Sequence, residues 1–78
     1  MIEDRIRQFI VEHLHGPADR LSNDYPLIEH RVVDSLGLMQ LVSFLESEYA
    51  ITIEDEDLVP ENFKTIGAIA KLVEARHS

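Results

Sequence analysis

The chain has 78 residues, 45% of them apolar and 28% charged, with no cysteine and a formal net charge of −8. A chain this short buries only about 60–65% of the surface its unfolded form exposes, which allows one domain with a slim core and no deep active-site cavity. The apolar and charged balance excludes intrinsic disorder, and the lack of cysteine removes disulfide frameworks, thiol catalysis and cysteine metal sites together.

The first ten residues, MIEDRIRQFI, are too charged for a secretory signal. No run approaches the roughly 18–20 apolar residues that span a membrane. The expectation is a small monomeric, cytoplasmic protein, either complete or a domain cut from something longer. Ile2, Ile6, Phe9, Ile10 and Leu14 recur at helical spacing, with Glu3, Asp4, Arg7, Gln8 and Glu12 on the other face. This pattern predicts a first helix that stops at Gly16-Pro17. Between Ala18 and Val33 there is little periodicity; Asn23-Asp24 and Pro26 mark turns, while Leu21, Tyr25, Leu27 and Ile28 are expected to pin the loop onto a core. An ordered loop of this length in so small a domain is often functional.

The second helix is expected from Ser35 to Tyr49, with Leu38, Leu41, Val42, Leu45 and Tyr49 on one inward stripe. Leu36 and Met39 point away from that stripe, together with Gln40, Ser43 and Ser47, and Glu46 lies between the two faces. Two large apolar residues are thus placed outside the core. Ile51 and Ile53, flanking Thr52, predict a short extended link. EDEDLV then begins a brief helix, its acids placed where the positive end of the helix dipole favours them, and Pro60 closes it. Thr65 is the expected N-cap of a last helix that turns Ile66, Ile69, Ala70 and Val73 inward. No strand pair is evident. The predicted architecture is all-α: a small four-helix bundle with a long ordered loop between helices one and two and a short third helix.

Charge narrows the partners. From Glu46 to Glu61 there are seven acids and no Lys or Arg. Such a segment repels nucleic acid and anionic lipid and steers basic protein surfaces toward itself. The expected partner is a protein with a positive face; nucleic acid and membrane are not expected.

Ser35 shares the chain with four His residues and many acids, but no G-x-S-x-G elbow surrounds it and a thin bundle offers no oxyanion hole. His13 and His15, two apart on a helix, point to different sides, and EDED lacks the glycine and ligand spacing of a calcium loop. Neither a catalytic nor a metal site is expected. The pair Asp34-Ser35 reads either as a plain helix cap or as a point of covalent attachment. Three features favour attachment. The hydroxyl heads a helix whose outward side continues as Leu36 and Met39, an exposed apolar strip of the kind that marks a protein contact. The helix start also suits an anion. Finally, acids rim the strip without interrupting it, as at an interface.

The stretch VVDSLGLMQLVSFLESEYAI resembles the acyl carrier and peptidyl carrier proteins, whose signature is Asp-Ser-Leu at the start of the second of four helices. The resemblance reaches most of the chain: IEDRIRQFIVEHL is similar to the family's first helix, YPLIEH to the loop before the signature, ITIEDEDL to the entry to helix three, and FKTIGAIAKLVEA to the last helix. It implies that a phosphopantetheinyl transferase attaches 4′-phosphopantetheine from coenzyme A to Ser35, with Asp34 part of the recognised signature. It implies a non-catalytic carrier, whose arm supplies the thiol the chain lacks and holds an acyl or aminoacyl thioester. It further implies that Val33, Leu36, Met39, Gln40 and Ser43 face partners, that Glu46, Glu48, Asp55 and Glu56 meet basic residues around the partner's entrance, and that Leu38, Leu41, Phe44, Leu45 and Ile53 line an acyl groove. Weak contacts suit a carrier that must leave one enzyme for the next.

Fatty-acid carriers usually bear acids two and five residues after the modified Ser; here those positions are Gly37 and Gln40. The glycine common in the turn before the signature is replaced by Arg31, Val32 and Val33. Phe44 stands where a small residue often lies near the groove, so a shallow groove for a small or polar acyl group is expected. These departures look more like free-standing carriers of natural-product pathways. Such carriers are loaded by an adenylate-forming ligase or an acyltransferase and unloaded by a downstream synthase or transferase. The alternatives are a carrier of fatty-acid synthesis and, in a different class, an unmodified acidic helical adaptor that binds a basic protein.

Overall fold

A computed structural model describes residues 2–77. It contains α1 (Ile2–His13), α2 (Ser35–Tyr49), a 3-10 turn (Asp55–Asp57), α3 (Pro60–Phe63) and α4 (Ile66–His77), and among the described residues no strand. The expected four-helix architecture is what the chain adopts, within an envelope of 31 × 24 × 19 Å. Helix α4 is the hub, in contact with each of the other three helices. Ile66, Ile69, Ala70 and Val73 are buried on it, as their spacing predicts. They meet Ile6 and Ile10 of α1, Leu41 and Leu45 of α2, and Phe63 of α3 in one cluster.

The Gly16 stop works by close approach. A Cβ at Gly16 would lie 2.7 Å from Ile10 Cγ2 and 3.0 Å from Leu21 Cδ1, so only glycine lets the chain fold back over α1 there. The long loop that follows is tied down at both ends. Arg7 Nε donates to the Leu21 carbonyl at 2.6 Å and its guanidinium also reaches Asn23. Further on, Leu27 N donates to the Lys64 carbonyl at 2.8 Å and Gly67 N to the Asn23 carbonyl at 3.0 Å. Leu21 and Leu27 are buried and Tyr25 packs against the core, as expected. Ile28 is the exception. It was expected to pin the loop, yet it remains 39% exposed, because its neighbour Leu27 takes the inward position.

The third helix also departs from expectation. EDEDLV does not run as a helix closed by Pro60. The acids form the 3-10 turn Asp55–Asp57, and Pro60 opens α3 instead, as its first residue. Proline there needs no N–H donor and has its φ already set for a helix. Asp57 is the acid that turns inward. It pairs with Arg76 near the end of α4 and accepts from Glu54 N at 3.0 Å, and its own carbonyl accepts from Asn62 Nδ2 at 2.8 Å. The Arg76 guanidinium, aided by the Glu54 N–H, holds the Asp57 carboxyl below the usual carboxylate range. Ile51 and Ile53 are buried on either side of exposed Thr52, the alternation read as an extended link.

Candidate functional site: the head of helix α2

Helix α2 begins at Ser35, and its cap is not Ser35 but Asp34. Asp34 has extended backbone angles, and its Oδ1 accepts from Gly37 N at 2.7 Å. The Asp34 carbonyl takes Leu38 N at 2.8 Å. The side-chain cap is thereby supplied without the Ser35 hydroxyl, which is exposed and makes no side-chain hydrogen bond among the described residues. Gly37 lies buried beneath this cap. A Cβ there would stand 3.2 Å from Asp34 Oδ1 and 3.4 Å from Leu14 Cδ2. An acidic residue at this position would therefore crowd the capping carboxylate, which gives a physical reason for glycine.

The outward strip forms as its spacing predicts. Leu36 is 69% exposed and Met39 61%, and Gln40, Ser43 and Ser47 are exposed beside them. Val33 does not join them. It was expected to face partners, but it is 4% exposed and part of the core cluster. Its N–H donates to the Leu27 carbonyl at 3.2 Å, turning the residue under the loop.

The acids expected at the rim divide. Asp55 and Glu56 are exposed. Glu46 is half-buried, with its Oε2 accepting from Ile53 N at 2.9 Å, which fixes the link after α2. Glu48 pairs with Arg5 of α1. Two of the four carboxylates are thus engaged inside the molecule.

The expected acyl groove is not open along its expected course. Leu41 and Leu45 are fully buried and Ile53 nearly so. Phe44 faces α1, where it stacks on Phe9 with ring centroids 4.4 Å apart, filling the space between α1 and α2. Of the five residues, only Leu38 borders open space beside Ser35. There, Ile28, Val33, Asp34, Ser35 and Leu38 surround a shallow depression of about 330 Å³. Another depression, about 620 Å³, has Asp57, Lys64, Lys71 and Arg76 among its walls and does not include Ser35.

The turn just before the site is a Schellman motif. Val32 N donates to the Leu27 carbonyl at 2.8 Å and Arg31 N to the Ile28 carbonyl at 3.0 Å, while Arg31 sits in the left-handed region at φ 60. Glycine normally takes this position. The sequence showed the missing glycine but not which residue had assumed its backbone role.

Comparison with known proteins places the chain in a family. Residues 4–73 match the family described as "Phosphopantetheine attachment site". "Probable acyl carrier protein PigG" of a Serratia species is 33% identical over 95% of this chain and 86% of its own length. An "Acyl carrier protein" of Saccharopolyspora erythraea is 37% identical over 91% of this chain and 73% of its own. Among solved structures, "Structure of KstB-PCP(apo)" superposes with a TM-score of 0.74 at 32% identity, covering 91% of this chain and 80% of that one. A chain in "Crystal structure of FAD-dependent dehydrogenase" superposes with a TM-score of 0.78 at 30% identity, covering 87% of this chain and 97% of that one. The chain belongs to the phosphopantetheine-binding carrier family, the acyl and peptidyl carrier proteins, whose members are carriers rather than catalysts. Its cofactor is covalent 4′-phosphopantetheine, and carriers of this family meet phosphopantetheinyl transferases and biosynthetic enzymes. Among the described residues, no helix is long and apolar enough to cross a membrane.

Proposed function

We propose that Ser35 is the attachment residue, and that the arm it bears carries a small acyl or aminoacyl thioester in a natural-product pathway. The observation that carries the reading is the spare hydroxyl. Asp34 meets the capping demand of α2, which leaves Ser35 Oγ exposed and uncommitted. In the transfer step Ser35 Oγ attacks the coenzyme A phosphorus that bears the pantetheine. A new P–O ester forms, the bond to adenosine 3′,5′-bisphosphate breaks, and the hydroxyl proton leaves to a base on the transferase. The two free N–H groups of the first turn and the helix dipole make the resulting phosphodiester electrostatically comfortable.

Helix α2 then lends the arm an address. Leu36 and Met39 supply the apolar centre of a small docking patch, Gln40 and Ser43 its polar flank, and exposed Asp55 and Glu56 its acidic rim. Buried Val33 and half-buried Glu46 act from inside the fold, holding the patch in shape, while exposed Glu48 ties α2 to α1 through Arg5 at the surface. The partners on this reading are a phosphopantetheinyl transferase, an adenylate-forming ligase or acyltransferase that loads the thiol, and a downstream synthase or transferase. The likeness to a chain from a flavin-dependent dehydrogenase structure supports such a dehydrogenase as a further enzyme that receives the loaded carrier. A pathway outside fatty-acid synthesis is supported by buried Gly37 and by Gln40, which stand where fatty-acid carriers bear acids.

Intact-mass spectrometry after incubation with coenzyme A and a promiscuous phosphopantetheinyl transferase tests the attachment. One phosphopantetheine adduct is expected, absent in Ser35→Ala. An unmodified wild-type chain, under conditions that modify a control carrier, would favour the acidic adaptor reading instead.

A further inference from the structure

Ile28 and Val59 are exposed apolar residues that neither the core nor the docking strip absorbs, and Ile28 shares a depression with Ser35. Ile28 is 39% exposed although it lies in a loop rich in core contacts. Its position is fixed on both sides: Leu27 is fully buried with its N–H on the Lys64 carbonyl, and the Ile28 carbonyl closes the Schellman turn by accepting from Arg31 N. The exposure is therefore built into the fold.

Two surface depressions meet at this side chain. The first, about 330 Å³, has Ser35 itself in its wall together with Ile28, Val33 and Leu38. The second, about 430 Å³, continues on the other side of Ile28 between Pro26 and Pro60, with Glu29, Glu61, Lys64 and Thr65 around it. The Leu27–Lys64 hydrogen bond clamps the loop to the end of α3 and sets the width of this second depression. Meanwhile the bundle interior next to α2 is closed, since Leu41, Leu45, Phe63 and Ile66 have at most 1% exposure.

We propose that Ile28 forms the floor of a surface track along which the pantetheine arm folds back from Ser35, seating a short acyl or aminoacyl cargo between Pro26 and Pro60. The inference rests on Ser35 as the attachment residue and deepens that reading by giving the cargo a place and a size. Continuity carries it: the residue that bears the arm is a wall of the track, so the arm enters with no search. Apolar Ile28 and Leu38 cover the arm's hydrocarbon above buried Val33, and burying their exposed surface favours the folded-back state. The second depression is short, apolar at its walls and polar at its edge. A cargo of a few carbons fits within it, and a longer chain runs out past Glu61 and Lys64 into water.

The test loads the chain with acetyl-, butyryl- and octanoyl-pantetheine by a promiscuous transferase from the corresponding coenzyme A thioesters. Cleavage by hydroxylamine is then timed against the same thioesters on free pantetheine. Protection is expected to rise from acetyl to butyryl and to gain nothing further with octanoyl. Ile28→Asp should remove it, with butyryl cleavage faster by on the order of five-fold, and the milder Ile28→Ala should fall between. Ala18→Asp, which places the same carboxylate on an exposed residue outside both depressions and the docking strip, should leave the lifetime unchanged. Amide chemical shifts on loading should move at 26–29 and 60–65. Shifts centred on Leu41, Leu45 and Phe63 would place the cargo in the interior and overturn the track. Equal lifetimes in wild type and both Ile28 variants would overturn it too. A chain that takes no adduct at all fails earlier and overturns the attachment reading itself.

Discussion

Asp34 at the head of α2 and Thr65 at the head of α4 each hold the amide three residues ahead, Gly37 at 2.7 Å and Ala68 at 3.0 Å. The residues that follow diverge. After Thr65 comes Ile66, fully buried, and the helix continues inward through Ile69 and Ala70; after Asp34 comes exposed Ser35, then exposed Leu36 and Met39. One helix start has its hydroxyl spent on the fold and its apolar residues in the core. The other has a hydroxyl left over and apolar residues left outside. A hydroxyl near a helix start is thus weak evidence of function until its neighbours are examined. It becomes informative when another side chain already does the capping.

The contrast is sharpest between the two leucine environments. Leu45→Ala should cost about 2–5 kcal/mol, because the side chain is fully buried in the core cluster. That is a large share of what a domain of this size has, and chemical denaturation measures it directly. Leu36→Ala should change stability by less than about 0.5 kcal/mol, while slowing thioester transfer to partner enzymes. A Leu36→Ala chain that unfolds early would show that the strip belongs to the fold and would erase the distinction.

Helical periodicity made most of this readable. It separates Leu41 and Leu45 from Leu36 and Met39 because a helix distributes its faces by a fixed angle. Thr65, Ile66, Ile69, Ala70 and Val73 were readable for the same reason. The loops obey no such rule. Ile28 and Leu27 are adjacent and similar in hydropathy, and it is the tertiary and turn hydrogen bonds of Leu27, to Lys64, Val32 and Val33, that hold it inward. Val33 failed likewise: just ahead of the helix, its direction is set by the turn beneath it. Phe44 lies near the edge of the inward stripe, and its stacking on Phe9 depends on a tertiary contact that no local pattern encodes. Pro60 reads as a stop or a start with equal ease, and the 3-10 turn ahead of it decides. At the site, the signature and the strip were visible in the residues, whereas the division of labour between Asp34 and Ser35 needed the geometry.

The two capping positions give the next comparison. Thr65→Ala should cost about 1 kcal/mol, the usual loss when a helix start gives up its cap. Ser35→Ala should fall within about 0.5 kcal/mol of wild type, since an exposed hydroxyl without a partner has nothing to lose. Thermal melts of both variants in parallel test the claim. A cost at Ser35 equal to that at Thr65 would mean the hydroxyl is a structural cap after all.

A difference confined to acid separates the carboxylates. Asp57 has its folded pKa lowered by Arg76 and the Glu54 N–H, so it binds its proton more weakly folded than unfolded. Its contribution is present above the unfolded value of about 3.9 and is lost as pH falls through the folded one. The melting temperature should therefore drop as pH falls below about 4, and Asp57→Asn should flatten that limb while lowering stability at neutral pH.

The smallest expected effect lies at Arg31, four residues before Ser35. A left-handed conformation costs a residue with a Cβ about 1–2 kcal/mol, and glycine avoids that cost but gives up about 0.5–1 kcal/mol in chain entropy. Arg31→Gly should accordingly melt within about 1 kcal/mol of wild type, on the stable side. Arg31→Val should be clearly less stable, because a β-branched residue tolerates φ 60 poorly. If both variants match wild type, the turn is not held in the left-handed form in solution, and the fixed position of Ile28 beside it goes too. If they split as expected, the fold gains nothing from the Arg31 guanidinium. Any loss of transfer in Arg31→Gly can then be assigned to docking, because the turn that positions Ser35 and Ile28 is intact.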